Sequence, residues 1–214
     1  MTRHCGAQLI FKGMIELTEH YYSEHPHVKS NPHSLSATLR QHNFVFTTDA
    51  GVFSKNAIDF GSALLIETFY EPQISGAFLD MGCGYGPIGI ALARDFPDRD
   101  VVMVDINERA VALAAKNAQE NQVNPVVLQS SLFEKVTGDF AAIVTNPPIR
   151  AGKQVVHQIF RDAHCFLKHG GELWTVIQKK QGAPSALKML QSLFDRVDVA
   201  AKKKGYYILC ARKD

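Results

Sequence analysis

Long apolar runs are missing from this sequence. None approaches the ~18 residues that a membrane span needs, and no short apolar segment with a small-residue cleavage site follows Met1. A soluble, unexported, cytoplasmic chain is the expectation. The four cysteines, Cys5, Cys83, Cys165 and Cys210, are far apart and never form a C-x-x-C pair. That spacing argues against a zinc knuckle or a disulfide framework and suits a reducing compartment. Neither sign of charge dominates, with 23 Lys and Arg against 21 Asp and Glu for a net of +2. Charged residues make up 21% and hydrophobic ones 46%, which excludes a disordered, collagen-like or coiled-coil chain. Internal repeats, low-complexity tracts and Ser/Gly-rich linkers are also missing, so continuous structure is expected.

A chain of 214 residues fits one domain with some extension, and surface scaling buries about 70% of what it exposes unfolded. Residues 1–18 show no clear period and are expected to be a flexible extension. Residues 19–214 are expected to form a single domain, with an arm, hairpin and helix over 19–72 ahead of a core over 77–214. Leu35–Leu39 and Phe44–Thr48 alternate apolar and polar around residues 40–43, which predicts the hairpin. Helical spacing runs from Asp59 to Tyr70.

From Ala77 onward, short apolar runs alternate with helical stretches, the pattern of crossover units on a parallel sheet. The expected strands are Ala77–Leu79, Val101–Val104, Val126–Gln129, Ala141–Thr145, Leu173–Gln178, Val197–Ala200 and Tyr206–Cys210. The expected helices are Pro87–Phe96, Glu108–Asn121, Lys153–Leu167 and Ser185–Phe194. The fold class is therefore α/β: seven strands in one Rossmann-like sheet, helices on both faces, an arm and hairpin in front.

Asp80-Met-Gly82-Cys83-Gly84-Tyr-Gly86-Pro-Ile-Gly89 follows the first of these strands and opens a helix, where an open α/β sheet binds ligands. Gly84, Gly86 and Gly89 satisfy G-x-G-x-x-G literally, so a dinucleotide site is one reading. A Walker loop is excluded because no Gly-Lys-Ser/Thr follows. A carboxylate at the loop mouth, Asp80, repels a pyrophosphate by several kcal/mol at an intermediate dielectric and favours a cation. Asp105, 25 residues on at the end of the second strand, suits a ribose diol. An acid, a glycine loop and a second acid match S-adenosylmethionine, which carries an ammonium and a sulfonium and no phosphate.

Asn146-Pro147-Pro148-Ile149 follows the apolar run Ala141–Thr145, at the carboxyl end of a fourth strand beside the glycine loop. A planar exocyclic amine is a poor nucleophile because its lone pair is delocalised. Two acceptors, the Asn146 side-chain oxygen and the Pro147 carbonyl, can rehybridise such a nitrogen, and proline rigidity holds the carbonyl. That is positioning and electrostatic preorganisation without metal or covalent intermediate.

Asp80–Gly86, Asp105 and Asn146–Ile149 together resemble the class I S-adenosylmethionine-dependent methyltransferases that modify amino groups. Gly51-Val-Phe-Ser-Lys55, Asp59-Phe-Gly-Ser62 and Leu64-Leu65 are similar to the small methyltransferase-domain group of RsmC-like and YbxB-like proteins. That group is associated with guanine N2 methylation of small-subunit ribosomal RNA. The resemblance spans roughly Glu19 to Lys213. It implies that Asp105 binds the ribose hydroxyls, that Ile106 and Ser131 flank the adenine, and that the loop Asp80–Gly86, with Gly82, Cys83, Gly84 and Gly86, covers the methionine part. Asn146 borders the cofactor, and Asn146, Pro147, Pro148 and Ile149 form the catalytic motif. Ile149 stands where many relatives carry an aromatic residue, and Ser131 where many carry Asp or Asn. Other amino acceptors (a release-factor glutamine or adenine N6) and a non-catalytic RNA-binding module remain as alternatives.

The basic last third, with 13 Lys and Arg against 5 acids over 150–214 where 1–149 has 10 against 16, hints at a polyanionic partner. Ribosomal RNA or the small subunit is the partner expected. Arg150, Lys153, Lys179 and Lys180 are the candidate RNA contacts, while Lys202-Lys203-Lys204 reads equally as a solvated turn. Cys83 has no nearby His to activate it and reads as a small tolerated side chain. His25-Pro-His27 lacks a partner at ligand spacing, so no metal is expected. Tyr21 and Tyr22 are expected to pack on the sheet edge, and Trp174 in the core.

Overall fold

The computed structural model describes residue 24 and residues 28–214. The expectations for residues 1–18, Tyr21, Tyr22 and His25–His27 lie outside the described residues. An antiparallel hairpin comes first, β1 (His33–Leu39) and β2 (His42–Thr48). Helix α1 (Phe60–Thr68) leads into β3 (Phe78–Met81), α2 (Pro87–Asp95), β4 (Val101–Asp105), α3 (Glu108–Glu120), β5 (Val126–Gln129) and β6 (Phe140–Thr145). Then come α4 (Lys153–Phe166), β7 (Leu167–Gln178), α5 (Ala183–Leu193), β8 (Arg196–Lys203) and β9 (Tyr206–Arg212). Short 3₁₀ turns occupy Ile149–Ala151 and Lys179–Gln181.

All seven expected core strands form one sheet, in the order β5-β4-β3-β6-β7-β9-β8. It is not wholly parallel, because β9 is antiparallel to both β7 and β8. The cause is the β8–β9 connection. Lys203 pairs with Tyr206, leaving a two-residue turn in which Lys204 (φ 48°) and Gly205 (φ 81°) are both left-handed. That is a type I′ hairpin, which reverses the chain where a crossover would preserve its direction. β7 also begins six residues earlier than its expected start at Leu173.

The β1–β2 turn is built the same way, on Arg40 (φ 46°) and Gln41 (φ 65°), so His42 and Asn43 belong to β2 and not to the loop. Left-handed backbone at a non-glycine costs about 1 kcal/mol, which the Arg40 side chain offsets by docking the hairpin. Its Nη1 donates to the carbonyls of Ile66 (2.8 Å) and Phe69 (2.7 Å), satisfying the last turn of α1. Its guanidinium lies 5.0 Å over the Phe96 ring.

The helices divide between the faces by their apolar stripes. Leu65 and Ile66 of α1, Ile90 and Leu92 of α2, Ala110 and Ala114 of α3 and Phe44 and Phe46 of the hairpin pack on one face, against Phe78, Met103, Val144 and Trp174. Ile159 and Phe160 of α4 and Ala186 and Leu190 of α5 cover the other, against Leu79, Val104, Ile143 and Leu173. Side-chain alternation in β3, β4 and β6 feeds both layers, and the strands are apolar along their lengths because both faces are covered. Among the described residues no helix is long and apolar enough to cross a membrane.

Candidate active site

The strand order reverses about β3, which has β4 on one side and β6 on the other. The crevice beyond such a switch point is where open α/β sheets bind ligands. A cleft of about 410 Å³ opens there, lined by the β3, β4 and β6 tips, the Val52–Ser54 loop and the start of α1. It brings together Gly82, Cys83, Gly84, Asp105, Ile106, Ser131, Asn146, Pro147 and Pro148 of the residues singled out from sequence. Asp80, Gly86, Ile149, Arg150, Lys153, Lys179 and Lys180 are not among its lining.

One half of the cleft is a backbone cradle. The Gly82 and Cys83 amides both donate to the Val104 carbonyl at 2.9 Å, tying the loop to the neighbouring strand. Gly82 (φ 76°) and Gly84 (φ 56°) adopt left-handed backbone, and a Cβ on either would project into open space. The room a side chain would take is therefore available to a ligand. Gly84 donates to Asp105 Oδ2 at 2.8 Å, and Asn107 to its Oδ1 at 2.9 Å. Burial pushes the Asp105 carboxyl up, and the backbone amides of Asn107, Gly84 and Ile106 pull it down. Asn107 caps α3 and reaches across to the Gly51 carbonyl at 2.9 Å, holding the loop that ends in Val52–Ser54 against this half.

Asp80 is not at the mouth of the loop but beneath it, 1% exposed. Its Oδ2 accepts from Gly89 at 2.8 Å, while Oδ1 is buried without a partner among the described residues. Burial, reinforced by the nearby Asp105 charge and opposed by the Gly89 amide, raises its carboxyl to about 7. The reason it sits so deep is packing: Gly89 lies so close to Met103 that a Cβ there would be 2.5 Å from Cγ, which draws the helix start down over Asp80. Gly86 does local work at the α2 N-terminus, left-handed at φ 99° ahead of Pro87. Cys83 is buried, and burial followed by the two acids raises its thiol well above the usual range, so it is held as the thiol.

The opposite half is a side-chain clamp. Asn146 Nδ2 donates to Ser62 Oγ at 2.9 Å and to Asp59 Oδ2 at 3.2 Å. A carboxylate only accepts, so the amide cannot turn its oxygen toward Asp59. Both amide hydrogens are spent and Oδ1 is left as the acceptor on a residue that lines the cleft. Asp59 also caps α1 through Ser62 N at 3.1 Å, so the helix start and the motif side chain share one carboxylate oxygen. The motif backbone folds as an inverse γ-turn centred on Pro148 (φ −74°, ψ 81°). In it Ile149 N donates to Pro147 O at 2.8 Å. That bond uses one of the two lone pairs of the Pro147 carbonyl and leaves the other. Thr145 Oγ1 donates to Met81 O at 2.8 Å, locking the β6 tip to the β3 tip.

Ile149 turns away from the cleft and packs with the α4 layer. Phe53, 38% exposed, puts an exposed aromatic side chain at the lining instead. Arg150 and Lys153 are exposed beside the motif. Lys179 and Lys180 are exposed on a separate turn, which Lys179 N ties to Gly205 O at 2.7 Å. Trp174 is buried, with its indole N–H on Glu172 at 2.9 Å. Sequence reasoning gave no role to Asp59, Ser62, Phe53 or Tyr85. Tyr85 lines the cleft with a buried hydroxyl that has no hydrogen-bond partner among the described residues, and burial, then the Asp59 charge, raises its phenol. The polar spacing Asp59-x-x-Ser62 was the available signal for the clamp.

The described geometry fits S-adenosylmethionine: a glycine cradle open to a ligand, a ribose-suited carboxylate at a strand tip, and orphaned polar atoms on Asp80 and Tyr85. Comparison with known proteins bears on the same region. The family model described as methyltransferase small domain matches residues 43–210. The chain belongs to this family. It is 58% identical over 200 residues to the uncharacterized protein YbxB of Bacillus subtilis, covering 92% of this chain and 100% of that one. It is 32% identical over 162 residues to ribosomal RNA small subunit methyltransferase C of Haemophilus influenzae, covering 74% of this chain and 49% of the other. Among solved structures, the T. thermophilus 16S rRNA N2 G1207 methyltransferase RsmC, in complex with AdoMet and guanosine, superposes with a TM-score of 0.77. Its identity is 28%, over 88% of this chain and 52% of that one. The chain thus spans about half the length of these RsmC relatives.

Proposed function

We propose that this methyltransferase-family chain transfers a methyl group from S-adenosylmethionine to the exocyclic N2 amine of a guanine in small-subunit (16S) ribosomal RNA. The observation that carries the reading is the clamped Asn146 amide, whose donors are both spent on Asp59 and Ser62 beside the glycine cradle. A bound S-adenosylmethionine supplies an electrophilic methyl group. Asp105 would accept the ribose hydroxyls, Ile106 and Ser131 would flank the adenine, and Asp80 would form the floor beneath Gly82, Cys83, Gly84 and Gly86. Asn146 Oδ1 and the free lone pair of Pro147 O accept the two N–H groups of the amine. Drawing both hydrogens out of the ring plane would localise the nitrogen lone pair on the side away from the two acceptors, and Pro148 holds the Pro147 carbonyl in register. Phe53 offers the aromatic face that Ile149 does not. Arg150 and Lys153 beside the motif, with Lys179 and Lys180, contact phosphates of a cytoplasmic RNA or subunit particle.

The test is incubation of the protein with labelled cofactor and, separately, under-methylated ribosomal RNA, small subunits, DNA and release factor, followed by nucleoside and peptide mass analysis. N2-methylguanosine is the expected product. Label on adenine or only on protein overturns the assignment.

A further inference from the structure

We infer that Asp59 selects guanine, one carboxylate oxygen holding Asn146 in place while the other accepts the N1–H of the target base. The inference rests on the proposed base-amine chemistry and deepens it. Asp59 Oδ2 is spent: it takes Ser62 N at 3.1 Å and Asn146 Nδ2 at 3.2 Å. Among the described residues none donates a hydrogen bond to Oδ1, and Asp59 lines the cleft beside Asn146. The cleft therefore places a carboxylate acceptor next to a carboxamide acceptor.

Among the amino-bearing bases, only guanine meets that pair. Its Watson–Crick edge carries the N2 amine and, adjacent to it, the N1–H, both donors. Adenine carries its N6 amine beside N1, an acceptor, and cytosine its N4 amine beside N3, also an acceptor. A lone pair facing Asp59 Oδ1 is repelled and leaves the carboxylate unpaired, and such an unmet polar group is the strong form of substrate rejection. The Asn146–Pro147–Pro148 motif grips an amino nitrogen without telling one base from another. Selection then has to come from what stands beside it, and Asp59 is the charged neighbour in hydrogen-bond contact with Asn146.

Nucleoside binding tests this directly, and the relative described in complex with guanosine makes the free nucleoside a sound probe. With the protein saturated with S-adenosylhomocysteine, guanosine, 2-aminopurine riboside, 1-methylguanosine and adenosine are titrated and followed by ligand-observed NMR. 2-Aminopurine keeps the 2-amine and replaces N1–H by a lone pair. The wild type is expected to prefer guanosine to 2-aminopurine riboside by about 10- to 100-fold, the range for a hydrogen bond to a charged group. Asp59→Asn keeps a competent N-cap and can donate to a bare N1. It is expected to lose guanosine affinity and gain 2-aminopurine affinity, closing or inverting the ratio.

Ser62→Ala loosens Asn146 without touching Oδ1 and is expected to leave the ratio as it was. An unchanged ratio in Asp59→Asn, or an equal shift in Ser62→Ala, overturns the selector role while leaving the guanine reading intact. A wild type that binds adenosine in preference to guanosine, or none of the four at millimolar concentration, overturns both.

Discussion

The two halves of the cleft are built by different means. The cradle proposed for the cofactor comes from one stretch of chain, Asp80 to Ile106, and is mostly backbone: amides of Gly82, Cys83 and Gly84 on the tips of adjacent parallel strands. The clamp proposed for the acceptor is side chain, joining Asn146 to partners 84 and 87 residues away. A backbone site is fixed by φ angles and strand register, and changes little when side chains change. A side-chain site can be retuned by one substitution. The cradle is therefore the half that is hard to alter, and the clamp the half open to retuning.

The largest effect separates the halves. Asn146→Ala is expected to lower turnover by about 10²- to 10³-fold, the cost of removing one preorganised hydrogen-bonding group from a transition state. Calorimetric affinity for S-adenosylmethionine should stay within about threefold of wild type. Full turnover in this variant removes Asn146 from the mechanism. Asp105→Ala is the mirror image. It removes a carboxylate that faces the cradle, so cofactor dissociation should rise about 10- to 100-fold by the worth of hydrogen bonds to a charged group. Turnover at saturating cofactor should fall far less. If both variants lose affinity and turnover together, the two halves act as one unit and the division fails.

That same division decided what the sequence disclosed. The cradle was legible because its determinants are local: an apolar run, an acid, spaced glycines and a second acid lie within 29 residues and need only the rule that ligands sit beyond parallel strand ends. All seven strands were legible: the central β3, β4 and β6 from apolar runs that burial on both faces makes continuous, and the edge strand β8 from the alternation of half-buried and exposed residues. The hairpin turns were read less closely, since Arg40-Gln41 and Lys204-Gly205 lack the Asn-Gly pair that announces a type I′ turn. The reversed β9 followed from that same Lys204-Gly205 turn. The depth of Asp80 escaped too, because spacing tells which strand end a residue occupies and not whether a helix is drawn down over it. The clamp was hidden for a stronger reason: no local pattern links Asp59 to Asn146, and only the sheet order brings α1 to the β6 tip.

Within the cradle, Asp80 differs from Asp105 in having almost no solvent, and pH sharpens that contrast. Its carboxyl is raised from 3.8 to about 7 in the folded chain. Below about pH 4 both folded and unfolded states hold the proton. Between 4 and 7 only the folded state holds it, so stability falls as pH rises, by at most about 1.4 kcal/mol per unit, and the loss saturates above 7. Asp80→Asn keeps an oxygen for the Gly89 amide and cannot ionise. Wild type is therefore expected to lose about 2 kcal/mol relative to this variant between pH 5 and pH 8, or roughly 4–8 °C in Tm. Thermal unfolding at the two pH values measures it. Parallel melting curves would mean that Asp80 stays ionised in the folded chain at pH 5.

The smallest effect lies outside the cleft, on the acceptor side. Lys179 and Lys180 stand exposed on the turn after β7, tied through Lys179 N to the Lys204–Gly205 turn. This places them at the same strand-end edge as the clamp but beyond its lining. Exposed lysines bind phosphate as point charges, each single-strand contact contributing about −0.7 to the slope of log affinity against log salt. Replacing both by alanine should flatten that slope by about 1.4 and weaken ribosomal RNA binding about three- to tenfold near physiological salt. Cofactor affinity should not change, because the cradle is made of other residues. A filter-binding series across salt concentrations reads the slope directly. An unaltered slope would mark the turn as merely solvated, and the phosphate contacts would then fall to Arg150 and Lys153 beside the motif.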